Sequence, residues 1–299
     1  MSISSFKMKK LLLKLSLVVM ASCAVVVAVV LHDTLKALEE SEQAYSATSV
    51  RDVLVVGSSQ EGCSIVESER FKSKVLWVSQ TVPASYLSRL FELERRGALG
   101  GVKTLIVYFN DQVYRLYSDN EIKFAMSIEL PLSWRYCDVY GVSRMRLLGY
   151  MMQNLRFPLN IRLAERAPDE RPSVVKKCKK DFVKFESDTA RSAKSFVAPV
   201  HRDERIRRLS EVYARMKEVC DRHHIQMIVV DYPSYPVFED MQPEFVKKDV
   251  ETVYRNMKAM GITCHVARRY PKSFYCDYVH MTRTAADQFT RDLWEDLGL

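Results

Sequence analysis

The chain has 299 residues, 47% of them hydrophobic and 27% charged, with only 9 glycines and 10 prolines. That is ample apolar material for a large domain with its own core, and it excludes collagen-like and low-complexity chains. The formal charge of +8 is a moderate surplus that reads as a solvated basic face. There is no zinc-spaced Cys/His set, basic reading helix or aromatic RNA signature beside it, so nucleic acid is not expected as a partner.

The N-terminal stretch "FKMKKLLLKLSLVVMASCAVVVAVVLHD" places Lys7, Lys9 and Lys10 before an apolar run from Leu11 to Leu31. Only Lys14 interrupts the run, close enough to its start for the side chain to snorkel to the headgroups. About twenty apolar residues suffice for a membrane-spanning helix, whereas a cleaved signal peptide carries a shorter apolar core. The run continues through Ala24–Leu31 beyond Cys23, which argues against cleavage at "MASC". The expected organisation is a cytoplasmic tail at 1–10, a signal anchor at 11–31, a polar linker at 32–50 and an exported domain at 51–299. Cys63, Cys137, Cys178, Cys220, Cys264 and Cys276 then lie in an oxidising compartment. Disulfides and buried free thiols both remain open there.

From residue 52 the pattern is that of alternating strands and helices. "DVLVVG", "KVLWVS" (74–79) and "VKTLIVYFND" are continuous apolar runs, as expected of strands covered on both faces. Between the last two, "SYLSRLFELERRG" has helical spacing and stops at Gly97. "ERIRRLSEVYARMKEVCDRHHI" is an amphipathic helix with Ile206, Leu209, Val212, Tyr213, Met216 and Val219 on one face. It ends at His223 and His224, which suit a helix C-terminus, and feeds the strand "QMIVVDYP". A helix closed by Gly261, a short strand "ITCHVA" and the helix "TAADQFTRDLWEDL" complete the chain. Residues 113–200 break the alternation and read as a helical and charged insertion. Its cluster Lys176, Lys177, Lys179 and Lys180 reads as a solvated face.

This order predicts an α/β three-layer sandwich, a mainly parallel sheet flanked by helices. Ligands of such sheets bind at the strands' carboxyl ends. The residues there are Gly57-Ser58-Ser59, Ser79-Gln80-Thr81, Asn110-Asp111 and Asp231-Tyr232-Pro233. Taken alone, Gly-Ser-Ser is turn material, Asp231 before Tyr-Pro is a turn former, and Cys63 is packing.

The far end gives the serine a possible base. In "FYCDYVHMTRTAADQFTRDL", Asp277 and His280 stand three apart before a helix. A serine hydroxyl needs a base to take its proton, and the imidazole needs a carboxylate to fix its tautomer. Asn110 at a neighbouring strand exit is a candidate donor for a developing oxyanion.

Together these elements resemble the SGNH (GDSL-type) hydrolase and acyltransferase superfamily. That family carries Gly-Asp-Ser after strand one, Gly-x-Asn-Asp after strand three, and Asp-x-x-His near the C-terminus, often before a Gly-Ala-x-x-Phe helix. Here these read Gly57-Ser58-Ser59, Tyr108-Phe109-Asn110-Asp111, Asp277-Tyr278-Val279-His280 and Ala285-Ala286-Asp287-Gln288-Phe289. The likeness covers residues 50–112 and 203–299. It departs at Ser58, at Tyr108 and in "SQTVPAS", where the family's oxyanion glycine is missing and a backbone N–H of Ala84 or Ser85 would stand in. The resemblance implies a flavodoxin-like sheet with Ser59 as nucleophile, His280 as base and Asp277 as its orienter. Asn110 and the Ser59 backbone N–H would be oxyanion donors, with no cofactor or metal. With the anchor, the chain is similar to the branch that acylates envelope polysaccharides, such as the alginate acetylation and D-alanyl transfer proteins. That implies an exported esterase or O-acyltransferase acting on acylated glycan, with a membrane-bound acyltransferase as partner. The alternative is a non-catalytic domain of the same fold that binds glycan or scaffolds such a complex.

Overall fold

The computed structural model describes residues 10, 12–18, 20–22, 25, 52–58, 65, 73–77, 82–128, 130–153, 182–199 and 201–299. The chain divides into two units, Met1–Ala47 and Thr48–Leu299. In the first, residues 12–18 and 20–22 are helical, and Leu12, Leu13, Leu15, Leu17, Val18 and Met20 are exposed. Among the described residues no helix is long and apolar enough to cross a membrane. Much of the anchor expected at 11–31 and all of the linker at 32–50 lie outside the described residues, as do Ser59, Cys63 and the lysine cluster at 176–180.

The second unit is built on five parallel strands: β1 (Val53–Gly57), β2 (Ser73–Trp77), β3 (Thr104–Tyr108), β4 (Gln226–Asp231) and β5 (Thr263–Val266). Their order is β2-β1-β3-β4-β5, the doubly wound order of flavodoxin-like sheets, whose direction of winding reverses between β1 and β3. The apolar runs are explained by burial of both faces. Val53, Val55, Ile106, Tyr108, Ile228 and Val230 share a core with Phe289, Leu293 and Trp294 of the C-terminal helix. The alternate residues Leu54, Val56, Leu105, Val107, Met227 and Val229 are equally buried, and successive side chains of a strand point to opposite faces.

Helices α1 (Pro83–Arg95), α2 (Asp111–Leu116), α3 (Asp119–Ile128), α4 (Leu130–Arg135), α5 (Arg144–Gln153) and α6 (Phe182–Lys194) are followed by α7 (Arg202–Arg222), α8 (Pro236–Asp240), α9 (Glu244–Ala259) and α10 (Arg283–Leu297). α7 packs between α1 and α9. Its buried stripe is Leu209, Val212, Tyr213, Met216 and Val219, while Ile206 is only partly buried. Gly97 and Gly261 follow α1 and α9 with φ of 66° and 75°, left-handed values that glycine adopts without penalty. The expected insertion is the helical group α2 to α6, of which α4 packs on α1. Glu92 of α1, fully buried, binds them together. It accepts from Arg95, Arg96 and Arg135 at 2.6–2.7 Å and from the Tyr136 hydroxyl at 2.9 Å. Burial alone would raise its pKa, but these donors hold it well below the usual carboxylate range.

The exit of β3 is tied to helices packed beside the sheet. The backbone carbonyls of Tyr108 and Phe109 accept from the hydroxyls of Tyr213 on α7 and Tyr254 on α9. Both tyrosine rings meet the Phe109 ring edge-on, at 5.7 and 5.2 Å between centroids.

Candidate active site

The C-terminal loop is closed before its side chains are considered. A 3-10 turn (Lys272–Phe274) leads into an antiparallel bridge between Tyr275 and Met281. The Cys276 N–H donates to His280 O and the Thr282 N–H to Phe274 O, each at 2.7 Å. Thr282 then caps α10 by accepting from Ala285 N–H at 3.2 Å. Inside the loop, Asp277 Oδ1 accepts the N–H groups of Val279 and His280 at 2.9 and 2.7 Å, and its Oδ2 lies 2.7 Å from His280 Nδ1. Burial pushes the Asp277 carboxyl up, but the His280 ring and the two backbone donors outweigh it and hold the pKa below its ordinary value. An ionised acceptor at Oδ2 requires the proton of a neutral imidazole on Nδ1. That leaves Nε2 as the basic nitrogen, the tautomer a general base needs.

The β4 exit borders both this loop and Asn110. The Tyr235 N–H donates to Tyr278 O at 3.0 Å, and Phe238 stacks on Tyr278 with centroids 5.2 Å apart. Asn110 Nδ2 donates to Tyr232 O at 3.1 Å, while its Oδ1 caps α2 by accepting Val113 N–H at 3.0 Å. Asn110 is 2% exposed. It therefore joins two strand exits as well as standing where an oxyanion donor was expected. Ser58 is fully enclosed. Ser59, and with it the expected Ser59 N–H donor, lies outside the described residues. Of the other two backbone donors, the Ser85 N–H is engaged by Val82 O at 2.9 Å, and Ala84 is the second residue of α1. Cys276 is in a disulfide, whereas Cys137, Cys220 and Cys264 are free thiols. His223 is the C-cap of α7 and faces Glu94 at 3.1 Å.

A second group of carboxyls lies at the same edge of the sheet, lining a cavity of about 490 Å³. Burial and then the charge of Glu239 raise Asp111 to about 7. Burial, followed by Asp111 and Glu239, raises Asp231 to about 8. Asp111 and Asp231 were visible in the sequence as strand-exit residues. Glu239, Gln242 and Tyr254, which also line it, carry no sequence signal, because α8, the turn after it and α9 bring them in from separate segments.

No protein-family model matches the chain, and no curated protein matches its sequence.

Proposed function

We propose that this protein is an exported, membrane-anchored serine esterase or O-acyltransferase of the SGNH type, acting on acyl esters of envelope glycans. The observation that carries the reading is the Asp277–His280 pair, at 2.7 Å with both carboxylate oxygens engaged. The parallel sheet with its doubly wound order supports it, since chemistry in such folds sits at strand exits. The disulfide at Cys276 suits an oxidising compartment, and the exposed leucines of residues 12–18 suit a lipid surface.

In this reading Ser59 Oγ attacks the acyl carbonyl while His280 Nε2 takes its proton. The resulting oxyanion is held by backbone N–H groups and the Asn110 amide. The tetrahedral intermediate collapses to an acyl-serine as His280 returns the proton to the departing glycan oxygen. Water or an acceptor hydroxyl then attacks the acyl-serine, with His280 again as base, and Ser59 is restored. A membrane-bound acyltransferase is the partner that would supply or receive the acyl group.

The test is fluorophosphonate labelling of the full chain, followed by peptide mapping. An adduct on Ser59 that persists in Ser58→Ala and vanishes in Ser59→Ala supports the enzyme. A second reading, a non-catalytic glycan-binding or scaffold domain, is favoured by two donors that are already engaged, the Asn110 amide by Tyr232 O and the Ser85 N–H by Val82 O. Absence of labelling in folded protein would select it.

A further inference from the structure

We infer that Glu186, on helix α6 of the insertion, is a positioning residue for the Asp277–His280 loop and acts on it through Tyr235. Its effect on the His280 ring stands without any assumption about turnover, whereas its effect on rate rests on the esterase reading.

The loop is held differently at its stem and at its tip. At the stem, Tyr275 bridges Met281, and Cys276 is in a disulfide. At the tip, Tyr278 directly follows Asp277, so its carbonyl belongs to the turn that sets the dyad's geometry. That carbonyl accepts the Tyr235 N–H at 3.0 Å, and Phe238 stacks on the Tyr278 ring. The place of Tyr235 therefore bears on where the imidazole points. Tyr235 is the N-cap of α8, a helix of five residues that is too short to be stable by itself. What fixes Tyr235 comes from elsewhere. Its buried ring meets Phe185 of α6 edge-on, with centroids 5.0 Å apart, and Tyr275 of the loop stem at 5.8 Å. Its hydroxyl donates to Glu186 Oε1 at 2.9 Å.

The same Oε1 accepts from Lys272, in the 3-10 turn that enters the loop. One carboxylate oxygen thus joins the segment leading into the loop to the residue that holds its tip. α6 is firmly seated for this task. Ala193 belongs to the main core, Thr189 is buried, and Ser192 O accepts from Arg115 at 2.7 Å. Lys272 and then Tyr235 hold the Glu186 carboxyl below its ordinary pKa, so it is the ionised, stronger acceptor near neutrality. Burial, followed by Glu186, pushes the Tyr235 hydroxyl up to about 12, so it keeps the proton it donates. An exposed lysine–glutamate pair alone carries little. The buried hydroxyl is what couples Glu186 to the dyad.

The experiment labels the histidine rings of the full-chain protein with nitrogen-15 and reads the tautomer of neutral His280 by NMR, with His280→Gln assigning the signal. In the wild type the proton should sit on Nδ1, facing Asp277. Tyr235→Phe keeps the ring and removes only the hydroxyl, and Glu186→Ala shortens a partly exposed side chain. Both should fold, as thermal melting checks. Each should raise the share of His280 with its proton on Nε2. Each should also lower kcat for an activated acetyl ester about tenfold with KM unchanged, as expected when a remote change displaces a catalytic group by a fraction of an ångström. Glu186→Gln keeps an acceptor for the hydroxyl, and Lys272→Met removes only the ion pair, so both should stay within about threefold of wild type. The inference is overturned by wild-type His280 signals or, in an active protein, wild-type kcat in folded Tyr235→Phe and Glu186→Ala. It is equally overturned by losses in Glu186→Gln or Lys272→Met as large as in Glu186→Ala, or by mixed tautomers in the wild type. A folded protein with no turnover and no fluorophosphonate adduct would refute the esterase reading alone, and the His280 signals would still decide the role of Glu186.

Discussion

Asp277 and Asp231 are both carboxyls near the same edge of one parallel sheet, yet their surroundings push them in opposite directions. Asp277 sits in a loop that turns two backbone N–H groups and an imidazole toward it, so burial does not stop it from ionising. Asp231 faces Asp111 and Glu239, and burial raises it to about 8. Burial is the largest influence on both. What differs is the supply of donors, and that is set by backbone geometry. A three-residue loop aims its own amides at one carboxylate, whereas strand exits bring carboxyls together without aiming donors at them.

The sharpest way to break the contrast is at Asp277. If the dyad works as proposed, Asp277→Asn should lower turnover of an activated acetyl ester by about 10⁴, because the imidazole then favours the wrong tautomer. A rate within a few-fold of wild type would reduce the pair to a structural contact.

The second test reads stability against pH. Asp231, with a folded pKa of about 8 against an ordinary 3.8, keeps its proton in the native state after the unfolded chain has lost it. Its contribution is therefore most favourable below the unfolded pKa and is lost as pH rises through about 8. Asp231→Asn should stabilise the protein by about 2–4 kcal/mol at high pH and hardly at all in acid. Asp277 has the reverse sign, with stability present above its unfolded pKa and lost as pH falls through the lower folded one. Asp277→Asn should thus destabilise near neutrality, by about 1–3 kcal/mol. Denaturant melts of both variants across pH check this, and shifts of the same sign would end the comparison.

The smallest effect is expected at Asn110, which lies next to Asp111 and reaches the β4 exit. Asn110→Ala should cost about 2 kcal/mol, from a lost helix cap and an unpaired Tyr232 carbonyl. Asn110→Ser keeps a capping oxygen without adding a charge and should recover part of that loss. If both variants melt like wild type, the two contacts of Asn110 carry no weight. A kcat loss in Asn110→Ala is informative about an oxyanion only after this stability loss is measured.

The sheet was legible because both its faces are buried, which writes strands as unbroken runs such as "VLVV" and "TLIVY". Helix ends were legible where glycine must take a positive φ, at Gly97 and Gly261. The dyad was legible because both members lie within one turn of chain. β2 is described over Ser73–Trp77, which covers the run from 74 to 77, while residues 78 and 79 lie outside the described residues. The double duty of Asn110 was not visible, since its partner Tyr232 is 122 residues away. The cavity was hidden for the same reason. Nothing local places Gln242 on the same wall as Asp111, because the turn after α8 and the exit of β3 must first be brought together.

The tyrosine hydroxyls that close the β3 exit have a consequence for the order in which the protein assembles. Tyr213 and Tyr254 reach back 105 and 145 residues to the carbonyls of Tyr108 and Phe109. Closing such long loops is slow, because chain entropy is lost before any contact compensates for it. The loop of Asp277 and His280 spans three residues and needs no such closure. A refolding chain should therefore form the dyad's local hydrogen bonds early and protect the amides at the β3 exit late, once α7 and α9 have docked. Pulsed hydrogen exchange during refolding would register the interval as late protection of Phe109, whose N–H bonds to Val230 O on β4.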